Sequence, residues 1–262
     1  MFTSRETVEK VERMKVCTCL NPLHTALAVY GCLLGYTKIS DEMKDADLVK
    51  LVEIIGYKEG LPVVTDPGIL SPKKFIDEVL QIRVPNPFMP DTPQRIACDT
   101  SQKLSIRFGE TIKEYLASDE LDVKSLKFIP MVQAGWCRYL LGVDDELNAF
   151  TVSPDPMYEE LAGKLAGVKV GEPCDVHGVL APILSNAKIF GVDLYEAGLG
   201  EYVESIFAEL IAGKGAVRET LKKCTWLRRK IKESDFFDRN HHNFKKNDMI
   251  KETVRNKRQS NG

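Results

Sequence analysis

Apolar residues along this chain return at steps of three and four far more often than at alternate positions. Leu48, Leu51, Val52 and Ile55 follow that rhythm, which puts them on one face of a buried helix. The same spacing runs from Phe75 to Ile82, from Leu104 to Leu116 and from Tyr202 to Ile211. Ser40-Asp41, Ser71-Pro72 and Ser153-Pro154 read as helix starts, because a hydroxyl accepts the first free amides and proline tolerates the first turn. Pro62, Pro67, Pro72, Pro85, Pro87, Pro90 and Pro93 break up the stretch from Gly60 to Pro93, predicting turns and extended links around one helix. Period-two alternation is rare and short. With no internal repeat, the pattern predicts a single mainly α domain from about Thr3 to about Lys223, residues 1–223, followed by a polar extension over residues 224–262.

Composition narrows the setting. A chain of 262 residues with 44% hydrophobic content can build an ordinary packed core. The longest apolar run, Ala26 to Leu34, falls short of the roughly 20 residues that span a bilayer, so no membrane segment is expected. The charged N-terminus predicts no secretory signal. Seven cysteines at irregular spacing point to reduced thiols and a cytoplasmic location. Cys17-Thr18-Cys19 and Cys174-Asp175-Val176-His177 lack the second ligand pair of a structural zinc site, so no metal is expected. Net charge is −2, unevenly spread: residues 222–262 hold 13 Lys/Arg against 5 Asp/Glu, leaving 23 against 33 before them. An acidic body argues against phosphate-backbone binding, and the basic extension is expected to stay solvated rather than to bind nucleic acid.

A nucleotide site is not evident. Gly198-Leu199-Gly200 has Val203 where a third glycine belongs and no strand before it, and Gly213-Lys214-Gly215 leads to Arg218. Neither offers the bare strand-to-helix turn on which a pyrophosphate rests. No Gly-x-x-x-x-Gly-Lys-Ser/Thr loop is present.

Residues 15–36, KVCTCLNPLHTALAVYGCLLGY, set Lys15, Asn21 and His24 at the start of an apolar helix. Asn21 before Pro22 is expected to cap that helix. His24 is three residues on, which places both side chains on one face at the positive helix end. Taken singly, a capping asparagine, a packed histidine and a surface lysine are the ordinary explanations.

Taken together, Lys15 and Asn21-x-x-His24 resemble the signature of the polyol-specific long-chain dehydrogenases, the mannitol dehydrogenase family. A second block, RVPNPFMPDTPQRIACDTSQK from Arg83 to Lys103, is similar to that family's substrate-binding segment, and GCLLGY, EGLPVV, AGWCRYL and ILSNAKIFGVDLYEAGLG extend the likeness from about Thr3 to Lys223. The resemblance implies a multi-helical C-terminal domain of the mannitol dehydrogenase and 6-phosphogluconate dehydrogenase C-terminal-like type, without its Rossmann domain. It implies Lys15 as general base, Asn21 and His24 at the reacting oxygen, and Arg95 and Lys103 as substrate-binding residues. NAD or NADP would be held mainly by a domain missing from this chain, so the possible partners are a polyol or sugar-acid substrate and a separate Rossmann-domain chain. Mannitol/fructose and mannonate/fructuronate are the implied pairs, the proline-rich block being closer to the uronate branch. The alternative is a noncatalytic protein that docks on a nucleotide-binding chain.

Asn86 and Asp91 read as turn builders among the prolines. One departure concerns Lys15: five residues separate it from Asn21 where the family usually has four, and on a continuous α-helix one extra residue turns a side chain by about 100°. An irregular link has to absorb it.

Overall fold

A computed structural model describes residues 4–225, and the helical rhythm is realised there without a β-strand; the only β pairing among these residues is an isolated bridge between Val143 and Ala149. Besides the helical residues 216–225, twelve α-helices follow in chain order among the described residues up to Leu210. They are α1 (Arg5–Met14), α2 (Asn21–Leu33), α3 (Ile39–Glu42), α4 (Ala46–Ile54), α5 (Pro72–Glu78) and α6 (Pro93–Ile96). The second half holds α7 (Glu110–Ala117), α8 (Phe128–Tyr139), α9 (Tyr158–Leu165), α10 (Val176–Leu184), α11 (Ala187–Phe190) and α12 (Gly200–Leu210). These elements belong to one compact unit that runs through Thr220. Residues 221–225 are helical and start a second unit, whose remainder, including the basic extension beyond Thr225, lies outside the described residues.

Four stretches are wound as π-helix: Lys15–Cys19, Ile55–Gly60, Val79–Arg83 and Ser105–Gly109. Each continues or precedes an α-helix, so helices that the apolar rhythm marks as single pieces are locally widened. The first joins α1 to α2 into a continuous helix, Arg5–Leu33. That helix is long and apolar enough by composition to cross a membrane, yet 78% of its apolar window is buried inside the protein. Burial of this kind is what a core helix shows.

The core forms around α8, all of whose residues from Phe128 to Tyr139 are buried. It packs against α2 through Tyr30, whose hydroxyl donates to the Met131 carbonyl at 3.0 Å. A Cβ at Gly135 would stand 2.9 Å from the Tyr30 ring, so the missing side chain sets how closely α2 and α8 approach. On another side α8 meets α11, Trp136 lying edge-on to Phe190 with centroids 5.8 Å apart. Arg138, buried at the end of α8, donates to the carbonyls of Leu210 at 3.2 Å and Val143 at 2.6 Å, satisfying orphan acceptors at the end of α12 and in the following turn.

The start of α8 is capped from a distance. Both Glu59 oxygens accept its first amides, Lys127 and Phe128 at 2.8 and 2.9 Å and Ile129 at 2.8 Å. A carboxylate at a helix N-terminus satisfies the free amides and meets the positive end of the dipole. The EGLPVV segment thereby has a structural role.

Local start signals fare unevenly. Ser71 caps α5 by accepting the Lys74 amide, with Pro72 at the first helical position, as expected. Ser40 lies inside α3, which Lys38 precedes without a side-chain cap. Ser153-Pro154 does not open a helix. There the Ser153 amide donates to the Tyr139 hydroxyl and its Oγ to the Gln94 carbonyl, both at 2.7 Å, and α9 begins at Tyr158. Long-range partners outbid the local capping geometry.

Candidate functional site

The expectation that Asn21 is an N-cap is not met. Leu20 occupies that position, and no side chain caps α2. α2 follows directly on the preceding π turn, where Leu20 donates to Lys15 and His24 to Leu20, each at 3.1 Å. The Asn21 side chain is thus released from capping. It lines a cavity of about 320 Å³ instead.

His24, one turn further, borders the same cavity, and so do Arg95 and Lys103. Four of the five residues singled out from sequence therefore converge on one space, from segments more than sixty positions apart in the chain. Lys15 is half-buried and is not part of the lining. It sits at the first position of the π turn Lys15–Cys19. An i→i+5 turn holds one residue more than an α turn, so this segment takes up the extra residue between Lys15 and Asn21.

Two other π segments deliver side chains to the cavity. Arg83 ends Val79–Arg83, and Arg107 lies within Ser105–Gly109. The latter segment is pressed against the end of α11, where a Cβ on Gly109 would meet the Phe190 carbonyl oxygen at 2.2 Å. Gly191, at φ +84°, takes the left-handed turn that follows α11 and brings its own backbone against Gly109. Only glycines allow that approach.

Arg95 stands on α6, whose N-cap Thr92 accepts the Arg95 amide at 3.2 Å. Its guanidinium pairs with Asp91, which also lines the cavity. The expectation that Asp91 only builds a turn is thus too narrow, whereas Asn86 does build one by accepting the Phe88 amide at 3.0 Å. Lys103 donates from Nζ to the Cys98 carbonyl at 2.5 Å. The loop between them is held by Asp155, which accepts the Ser101 amide at 2.8 Å and its hydroxyl at 2.5 Å. Asp99 enters this loop in the left-handed region at φ 51°.

The cavity carries four cations, Arg83, Arg95, Lys103 and Arg107, against one carboxylate, Asp91. Burial pulls the His24 imidazole down to about 4, an effect that Asp91 opposes and that Arg83, Arg107 and Arg95 reinforce. His24 is accordingly neutral at pH 7, with one ring nitrogen to donate and one to accept. Burial also lowers Lys103 below the ordinary lysine value, Arg107 adding to the fall. Arg107 itself is brought down to about 10 by burial and stays charged at neutral pH.

Arg107 and Arg83 were not singled out as site residues from sequence. A usable signal existed for Arg107: it is four residues beyond Lys103 and its amide bonds to the Lys103 carbonyl at 2.9 Å, so the two share a helix face.

The mannitol dehydrogenase C-terminal domain family matches residues 7–210. The chain belongs to the mannitol dehydrogenase family. Among curated members of that family, the D-mannonate oxidoreductase of Thermotoga maritima is 59% identical over 222 residues, covering 85% of this chain and 41% of the relative. The mannitol 2-dehydrogenase of Aspergillus niger is 31% identical over 197 residues, covering 72% and 38%. In structure the chain is similar to Pseudomonas fluorescens mannitol 2-dehydrogenase in a ternary complex with NAD and D-mannitol, with a TM-score of 0.70, 25% identity, and coverage of 83% of this chain and 41% of that one. The chain spans about two fifths of the length of these mannitol dehydrogenase family members.

The described residues include no strand leading through a glycine-rich turn into a helix, the arrangement on which a pyrophosphate rests in a Rossmann-type site. Gly198-Leu199-Gly200 follows the turn after α11 and opens α12 with no strand before it, and a Cβ on Gly200 would meet the Tyr195 ring at 2.4 Å. These glycines answer to packing. Among the described residues, no group of three His, Cys, Asp or Glu side chains is placed to hold a metal.

Proposed function

We propose that this chain is the substrate-binding and catalytic part of a cytoplasmic, NAD(P)-dependent dehydrogenase that interconverts a sugar acid, mannonate, with its keto form, and that the nucleotide is held by a separate domain or chain. The observation that carries this reading is the cavity in which Asn21 and His24 face four cations and a single carboxylate. A neutral polyol gives such an excess of positive charge little to neutralise, whereas a carboxylate does so directly. The 59% identity to a protein named D-mannonate oxidoreductase supports the same choice between the two substrate classes. Seven cysteines at irregular spacing support a reducing compartment.

Alcohol oxidation requires a base for the hydroxyl proton and donors for the alkoxide that develops. Lys15 is the proposed base, a reading supported by the π turn Lys15–Cys19 that lies between it and Asn21. Asn21 donates its amide to the reacting oxygen. The neutral His24 imidazole donates a second hydrogen bond there without adding charge of its own. Arg95, oriented by Asp91, and Lys103, oriented by the Cys98 carbonyl, hold the remaining oxygens of the open chain.

The test is reconstitution. This chain, mixed with the separately produced nucleotide-binding domain of the Thermotoga relative and NAD, should reduce cofactor when D-mannonate is supplied and far less with D-mannitol. Absence of turnover with either substrate, when both proteins are folded and associated, counts against the assignment.

A further inference from the structure

Among the described residues, Arg107 is the half-buried arginine of the cavity, and its charge has no carboxylate beside it. Arg95 has Asp91, and Lys103 feels Asp99 and Asp155. Arg107 donates from Nη1 to the Thr25 hydroxyl at 2.6 Å, and Thr25 passes the bond on to the Asn21 carbonyl at 2.9 Å. Both acceptors are neutral. A guanidinium drawn out of water and given only a hydroxyl retains most of its desolvation cost, and its only resolved perturbation is that burial. The segment that carries it is held by the Gly109 and Gly191 contact with α11, and its guanidinium is held by Thr25.

Placement adds direction. Thr25 is one turn beyond Asn21 on α2, so its bond ties the guanidinium to the helix that bears Asn21 and His24. With Nη1 committed to Thr25, the other guanidinium nitrogens have no partner among the described residues, and the side chain borders the cavity. Arg83 is an exposed cation on the same cavity, with no ion pair among the described residues. Together they make an inner and an outer positive wall.

We infer that Arg107 is the specificity-determining residue of this site, the fixed guanidinium that receives the carboxylate of a sugar acid and so separates aldonates from polyols of the same length, with Arg83 assisting at the rim. This rests on the dehydrogenase assignment above and deepens it by naming the group that reads the substrate's charge. Arginine suits the task because its planar fork meets a carboxylate at two points. The carboxylate supplies the counter-charge that the fold withholds.

The experiment compares D-mannonate and D-mannitol as ligands of the full chain by calorimetric titration, alone and with the complementary nucleotide-binding domain and NAD. Arg107→Gln, Arg107→Lys and Arg83→Gln are measured beside the unsubstituted chain. The expected result is a preference for mannonate that falls about ten- to a hundredfold in Arg107→Gln, the range for a charge-assisted bond. Arg107→Lys should restore part of it, and Arg83→Gln should lower it by less. Thermal unfolding shows whether each variant is folded. Should Arg107→Gln unfold, the preference in Arg107→Lys decides: a loss of severalfold supports the assignment, and an unchanged preference overturns it. An unchanged preference in folded Arg107→Gln also overturns it, as would a parallel loss of both ligands, which marks a structural role. Binding of neither ligand by the unsubstituted chain in either format removes the dehydrogenase assignment itself.

Discussion

Arg107 and Thr25 are joined by a 2.6 Å hydrogen bond that ties a π-helical segment to the helix bearing Asn21 and His24. Because Thr25 is buried and its hydroxyl both accepts from Arg107 and donates to the Asn21 carbonyl, it works as a relay between them. Thr25→Val keeps the shape and removes both bonds. The expected outcome is a loss of roughly 1–2 kcal/mol in stability, with weaker sugar-acid binding because Arg107 loses its anchor. Denaturant unfolding and ligand titration on one preparation measure both effects; unchanged binding would detach Arg107's position from Thr25.

Lys15 has a distinct prediction. In the reconstituted enzyme, Lys15→Ala should remove nearly all turnover while the Michaelis constant moves little, since the lysine is proposed to handle a proton rather than hold the sugar. Arg95→Ala should do the reverse, raising the Michaelis constant by about tenfold or more. Steady-state kinetics of the two variants separates the roles. Retained turnover in Lys15→Ala would transfer the base to another group, with Lys103, lowered by burial, the first to examine.

The sequence made the helical class legible because the apolar rhythm depends only on side-chain type and α periodicity. Leu48, Leu51, Val52 and Ile55 are all buried, as their spacing requires. The π segments were not legible: an extra residue in a turn leaves no compositional mark, and only the Lys15 to Asn21 spacing betrayed one. Motif matching brought Asn21, His24, Arg95 and Lys103 forward, and these meet in one cavity. Arg107 escaped because its partner Thr25 is 82 positions away in the chain, a contact that only the tertiary fold makes. Asn21 was misjudged as a cap for a related reason, since an N-cap exists only where a helix begins and here the helix continues.

Glu42 offers a pH-dependent test of the core. Its carboxyl is fully buried beside Gly31 and Pro93, neither oxygen has a hydrogen-bond partner, and burial, with Asp45 nearby, raises it to about 10. The folded protein therefore holds this proton over a range in which the unfolded chain, near 4.5, has released it. Stability from this group is fully present below 4.5 and declines as pH climbs toward 10. Glu42→Gln removes that decline. At pH 7 the variant should be more stable than the parent by about 3 kcal/mol relative to their difference at pH 4. Denaturant unfolding at the two pH values checks it, and equal differences would mean that Glu42 is not a buried neutral acid.

Glu59 should behave oppositely. It accepts three amides at the start of α8, the most completely buried helix among the described residues. Glu59→Ala leaves those amides without their partner, and a loss of roughly 3 kcal/mol is expected. Glu59→Gln should recover part of this, since one carbonyl oxygen still accepts. Thermal melts of the two variants order them, and an alanine variant as stable as the parent would show that the remote cap is dispensable.

The account stands on one cavity holding a sugar acid between α2 and the cationic residues across from it. The most direct measurement is chemical-shift mapping by NMR on labelled full-length chain, titrated with D-mannonate in the presence of the complementary nucleotide-binding domain. The account predicts saturable shifts concentrated on the Asn21 side-chain amide, the His24 ring, and the Arg95, Lys103 and Arg107 side chains. Saturable shifts centred elsewhere, with these groups unmoved, would contradict it.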